Sequence, residues 1–178
     1  KMSVIFLTRF SIPDSFSYHY KSFRLSRDKT EVEYKKELFS KKRLDQKMIY
    51  FRSLTFPSIT QQKNKNWKWY IFISFELPEE YILELETLVT PFSHKIIIHQ
   101  VQDIIDFKKL SSKILEHIPK PYISSRIDDD DGICESFVER ILYYLPMDNH
   151  VINFVNGKIS FYNQFKKNIE FGKSITYF

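Results

Sequence analysis

Two rhythms of apolar and polar positions run along the chain. Short, continuous apolar runs occur at residues 3–7 (SVIFL), 67–74 (WKWYIFIS), 94–101 (HKIIIHQV) and 121–127 (PYISSRI). Their branched and aromatic content is that of buried strands. Between them the repeat is helical. Thr30 and Glu33 form a T-x-x-E capping box, and helix formers continue toward Gln62 with an interruption at Pro57, which predicts two helices or one kinked helix. Pro78 opens a second helical stretch with Tyr81, Leu85, Leu88 and Val89 along one face. A third, over 103–117, repeats Ile104, Phe107, Leu110, Ile114 and Leu115. After Gly132, ICESFVERILYYL turns Ile133, Phe137, Ile141 and Leu142 or Leu145 inward. Near the end, HVINFV and KISFY flank Asn156-Gly157, a dipeptide suited to a tight antiparallel turn.

Strands that alternate with helices predict an α/β fold: a Rossmann-type α/β/α sandwich on a mainly parallel central sheet, with an antiparallel hairpin near the C-terminus. One domain over residues 1–178 suffices for a chain of this length. In open sheets of this kind ligands bind beyond the carboxyl ends of the strands. Thr8 and Arg9, Ser74 to Glu76, Gln100 to Gln102 and Asp128 to Asp131 therefore belong to one edge.

Composition narrows the classes. Hydrophobic residues make up 43% and charged residues 28%, which excludes a disordered chain. The single cysteine, Cys134, has no internal partner and fits a reducing compartment; it reads as a small buried hydrophobe. No apolar run reaches the roughly 18 residues of a membrane span and no signal-peptide pattern opens the chain, so a cytoplasmic location is expected. A net charge of +5 favours anionic partners: nucleic acid, an acidic membrane surface or a phosphorylated small molecule. The basic stretch from Lys21 to Lys47, with Tyr18, Tyr20, Phe23 and Tyr34 among its cations, suggests a nonenzymatic module for nucleic acid or anionic surfaces. Asp28, Glu31, Glu33, Glu37 and Asp45 dilute that patch, and a solvated helical face explains it better.

The strongest chemical signal is RIDDDDGI, residues 126–133, four carboxylates behind a strand. Adjacent ionised carboxylates repel unless solvent, a proton or a cation intervenes. While the chain stays extended, Asp128 and Asp130 point one way and Asp129 and Asp131 the other, giving a D-x-D pair. Such oxygens suit Mg²⁺ or Mn²⁺, which complete their shell with water and phosphate oxygens. An EF-hand loop from Asp128 would need its glycine at Ile133, and the five histidines show no zinc spacing. P-loop, dinucleotide and nucleophile-elbow motifs are absent.

Taken in order, LTRFS near the amino terminus, FRSLTFPSITQQ at 51–62, WKWYIFISFELPEEYILELETLV and PYISSRIDDDDGICESFVERI resemble the putative rhamnosyltransferase family of surface-glycan enzymes. The similarity runs from about Met2 to Tyr162. It implies a GT-A type glycosyltransferase that uses Mn²⁺ or Mg²⁺ and moves a sugar from a nucleotide-diphosphate donor to a glycan acceptor, in polysaccharide or glycoprotein glycan synthesis. By the same resemblance, Asp130 leads as metal ligand and Asp128 touches the donor's ribose or sugar and the metal. Thr8, Arg9, Arg126 and Asp129 join the nucleotide-sugar site. Arg126 lies near the diphosphate or pairs with a neighbouring aspartate. Ser58 and Gln62 belong to the matched helical motif, where capping or helix packing explains them equally well. Two departures stand out: Phe56 replaces the usual leucine, and Gly132 replaces alanine and is expected to loosen the turn. Related enzymes continue beyond this length, so a fragment of a longer enzyme is one expectation. The catalytic base is open among Asp131, Asp148 and Glu170.

Overall fold

The computed structural model describes residues 3–16 and 23–143, together with the backbone of two strands at 156–163 and 168–176. Four strands, β1 (Ser3–Phe10), β2 (Trp67–Ser74), β3 (Ile96–Val101) and β4 (Tyr122–Arg126), form one sheet in the order β3-β2-β1-β4, every pair parallel. Leu7 lies opposite Tyr70 on one side and opposite Arg126 on the other.

The helices follow from the crossovers. From β1 the chain passes through α1 (Glu31–Leu38), α2 (Lys41–Tyr50) and α3 (Phe56–Thr60) to β2, then through α4 (Glu79–Val89) to β3. It then reverses direction across the sheet through α5 (Ile104–Glu116) to β4 and α6 (Phe137–Tyr143). Right-handed connections place helices of the outward steps on one face and the helix of the return step on the other. The two cores agree. Val4, Phe6, Trp69, Ile71 and Ile73 pack with Leu44, Met48, Leu85, Val138 and Ile141 from α2, α4 and α6. On the opposite face Ile5, Leu7, Tyr70 and Phe72 pack with Ile104 and Phe107 of α5. The alternate residues of β1 and β2 thus serve two cores, which is why these strands read as unbroken apolar runs.

Local signals set most element ends. Thr30 caps α1 through a complete capping box with Glu33. Asp103 caps α5, accepting from the amides of Ile105 and Asp106. Pro78 sits immediately before α4, whose buried residues are Tyr81, Leu85 and Val89. Pro57 does not break its helix. It lies in the first turn of α3, and α2 runs into α3 through a π-helical turn over Phe51–Thr55.

The expected hairpin at Asn156-Gly157 is corrected. Both residues begin the strand β5 (Asn156–Asn163), which pairs antiparallel with β6 (Asn168–Thr176) in a separate two-stranded sheet. A dipeptide fit for a turn is overridden here by pairing with Thr176 and Ile175. The four-stranded sheet therefore has no antiparallel member.

Phe72 is fully buried, and its ring meets Phe107 edge-on at 4.9 Å, tying α5 to the sheet. Phe72→Ala is expected to lower unfolding free energy by about 3–5 kcal/mol in urea titrations.

Candidate functional site

The winding of the sheet reverses between β1 and β4, and the carboxyl ends of these two strands open a crevice of about 300 Å³. Such a reversal separates the loops that leave the two strands, and ligands of open sheets bind there. Arg9, Arg43, Lys47, Asp128, Asp129 and Asp130 face each other around it. Ser74 and Val101 end β2 and β3 on the same edge but are not part of the crevice.

The aspartates do not remain extended. β4 stops at Arg126, the Ile127 amide still donates to Leu7 O at 3.1 Å, and the Asp131 amide donates to Asp128 O at 3.2 Å, closing a turn. Strand alternation therefore ends before the acidic run, and the turn sorts the carboxylates instead. Asp129 is only 3% exposed, and both of its oxygens accept from Lys47 Nζ. Burial pushes its carboxyl up, against the pull of Lys47. Asp128 is partly exposed; its Oδ1 lies 3.4 Å from Arg9 Nη2 and 3.6 Å from Arg126 Nε. Asp130 is exposed and has no hydrogen-bond or ion-pair partner among the described residues. Desolvation, then the charges of Asp130 and Asp128, raise Asp131.

The cations have built environments. Arg9 carries its guanidinium carbon 5.3 Å from the Phe23 ring centroid and 5.9 Å from that of Phe107, and its buried Nε has no hydrogen-bond partner among the described residues. Arg43 and Lys47 stand one turn apart on α2, and Leu44 and Met48 beside them anchor the helix in the core. Arg43 Nη1 donates to Leu38 O and to Ser11 Oγ, at 2.9 and 3.2 Å. Burial pushes its guanidinium down from the ordinary value, while Asp129 pulls it up. Ser11 holds a left-handed backbone, φ 50°, directly after β1, an arrangement that costs a non-glycine residue about 1–3 kcal/mol and recurs at ligand sites. Below it, the buried Asp14 carboxylate accepts from the amides of Ser15 and Phe23 and from Ser26 Oγ, so that Phe23 is held beside Arg9.

Segment 41–62 grips the acidic loop at three places. Lys47 pairs with Asp129. Leu54 packs against Gly132, where an added Cβ would come 2.7 Å from Leu54 Cδ1. Gln62, fully buried, donates to Ser58 O and Cys134 O at 2.8 and 2.7 Å and accepts from the Val138 amide at 2.9 Å. Gly132 has no left-handed backbone, so glycine here supplies room for Leu54 rather than a looser turn.

Several sequence expectations change in place. Thr8 is fully buried, and its hydroxyl accepts from Trp69 Nε1 at 2.9 Å, so its side chain belongs to the core beneath the crevice. Asp129, expected among the donor contacts, is held by Lys47. Arg126 pairs with Asp128 at the exposed rim. Ser58 Oγ donates to Thr55 O, three residues back along the same helical run, which is a local helix contact rather than a cap. Cys134 is exposed rather than buried, because the loop from 131 to 136 runs over the surface. Asp148 lies outside the described residues, as does the side chain of Glu170. Sequence reading missed Arg43 and Lys47 as crevice residues. Their i, i+4 spacing beside Leu44 and Met48 was the available signal, obscured by the many exposed lysines around them.

A parallel α/β sheet with a charged crevice at its switch point places the chain in the class of open α/β folds that bind ligands at that crevice. Residues 3–150 match the family described as Putative rhamnosyl transferase, and the chain belongs to that family. No curated protein and no solved structure matches it. Membership makes the chain a glycosyltransferase at the level of the family's description. Among the described residues, no helix is long and apolar enough to cross a membrane.

Gln62→Ala strands Ser58 O, Cys134 O and the Val138 amide. At least about 2 kcal/mol of stability should disappear in urea unfolding, since each orphaned buried group costs roughly 1–3 kcal/mol. A loss below about 0.5 kcal/mol, less than one net hydrogen bond, would show that other groups replace those contacts.

Proposed function

We propose that this chain is a metal-dependent glycosyltransferase of the GT-A type, transferring a sugar, rhamnose by the family's description, from a nucleotide-diphosphate donor to a glycan acceptor. One observation carries the reading: Asp128 and Asp130 stand beside Arg9 and Arg43 in one crevice at the switch point of the sheet. Family membership supplies the transfer of a sugar, and this placement supplies the donor's phosphate end.

The residues fit a divalent cation that arrives with a diphosphate. No group of three or more ligand side chains is assembled among the described residues. Mg²⁺ and Mn²⁺ bound with phosphates need only one or two protein carboxylates, and Asp128 and Asp130, the latter without an ion-pair partner among the described residues, provide two. Bound there, the ion would act as a Lewis acid on the diphosphate leaving group. The orphaned Nε of Arg9 calls for an acceptor, which a phosphate oxygen would satisfy. Arg43 adds a second cation to the crevice, and the Phe23 and Phe107 rings lie against the Arg9 guanidinium. In the reaction the sugar's anomeric C–O bond to the diphosphate breaks, a glycosidic bond forms to an acceptor hydroxyl, and that hydroxyl loses its proton.

Calorimetry with Mn²⁺ and a panel of nucleotide-diphosphate sugars tests the assignment. The parent should bind its donor only with the metal. Asp130→Ala should weaken that binding at least about tenfold, because losing a direct ligand costs no less than losing an outer partner. Equal, metal-independent binding in both proteins would remove the mechanism.

A further inference from the structure

We propose that Lys47 is a positioning residue: its buried pair with Asp129 fixes the turn after β4 so that Asp128 and Asp130, and not Asp129, are presented to the divalent cation and diphosphate. The inference rests on the metal-dependent reading above but adds a residue that does not touch the ligand. Asp129 borders the crevice but is only 3% exposed and has both oxygens on Lys47 Nζ, so the middle carboxylate of the turn is already engaged. The two residues that flank it in sequence are left on the open side, where Asp128 is partly exposed and Asp130 exposed.

Lys47 is suited to that task by its own support. Leu44 and Met48, buried beside it on α2, fix the helix against the sheet, and Phe10 lies with its ring centroid 5.8 Å from the ammonium. The other two grips on the loop, Leu54 at Gly132 and Gln62 at Cys134 and Val138, lie beyond the turn and cannot choose among its carboxylates. Only the ammonium reaches the turn itself among these three contacts. A charge-assisted bond from a rigid helix to a ligand's immediate neighbour is how outer partners orient metal-binding groups.

The test has one readout with metal and one without it. Hydrogen exchange at the amides of Ile127 and Asp131 reports the turn, because they donate to Leu7 O and Asp128 O. Lys47→Met should speed that exchange about tenfold by opening the turn locally, relative to Val89→Ala, a core change at the far end of α4. Manganese binding in the presence of inorganic pyrophosphate, followed by electron paramagnetic resonance, should weaken roughly 10- to 100-fold in Lys47→Met, the usual cost of losing an outer partner. Lys47→Arg should restore it to within about threefold, since a guanidinium also pairs with a carboxylate. Val89→Ala should leave it at the parental value. If Lys47→Met does not fold, the paired change Lys47→Met with Asp129→Leu removes both charges and leaves none uncompensated, and the same two losses are expected. Parental exchange at the turn in whichever variant folds would overturn the proposal. Parental Mn²⁺ affinity beside faster exchange would do the same. A parent that binds no Mn²⁺ with pyrophosphate would sink the metal reading, and with it the claim that Lys47 prepares a metal site.

Discussion

A carboxylate taken out of water must be compensated, and the acidic loop is organised around that requirement. Asp129 lies inside the protein between two aspartates that do not, and the only direct ion-pair partner it has among the described residues is Lys47. For the ammonium to arrive there, α2 must lie against the sheet with Leu44 and Met48 in the core, and the chain must then continue through the π-helical turn to place Leu54 and Gln62 on the same loop. The segments FRSLTFPSITQQ and RIDDDDGI are thus two sides of one contact. Gln62 illustrates why: its three hydrogen bonds join Ser58 O of α3 to Cys134 O in the irregular loop and to the Val138 amide in the first turn of α6, a donor that has no partner within its own helix.

The sheet supplies the frame. Because β4 returns to the far side of β1, the loops after these strands diverge and leave space between them, and that space collects charge of both signs. Arg9, Arg43 and Lys47 line the crevice with Asp128, Asp129 and Asp130, and the arrangement is asymmetric: Lys47 and Asp129 neutralise each other, Arg9 and Arg126 lie at longer range from Asp128, and Asp130 has no ion-pair partner among the described residues. Charges in such a state can be redistributed when an anion and a cation enter together. The left-handed backbone at Ser11, held through Arg43, indicates that the tight turn leaving β1 is imposed by its surroundings.

The acidic run shows where sequence reasoning and structure part. Extended geometry would place Asp128 with Asp130 by alternation, and the two do share the open side, but for another reason: the strand ends at Arg126 and the turn buries Asp129. Thr8 shows the same limit in the other direction. Its place at the carboxyl end of β1 was legible, yet its direction depended on the indole of Trp69, sixty-one residues away. At Asn156-Gly157 a strong local turn signal lost to strand pairing, because turn propensity is smaller than the sum of a ladder's hydrogen bonds and contacts.

By itself the sequence determined the element order, the parallel sheet and the edge on which the acidic run lies. Those follow from periodicity, capping and the handedness of crossovers, which are local or nearly so. Only the tertiary structure decided which aspartate is buried, which two of many surface-looking cations line the crevice, and that Gln62 and Leu54 hold the loop. Each of those depends on side chains brought together across tens of residues, where burial and pairing, rather than residue type, set what a charge can do.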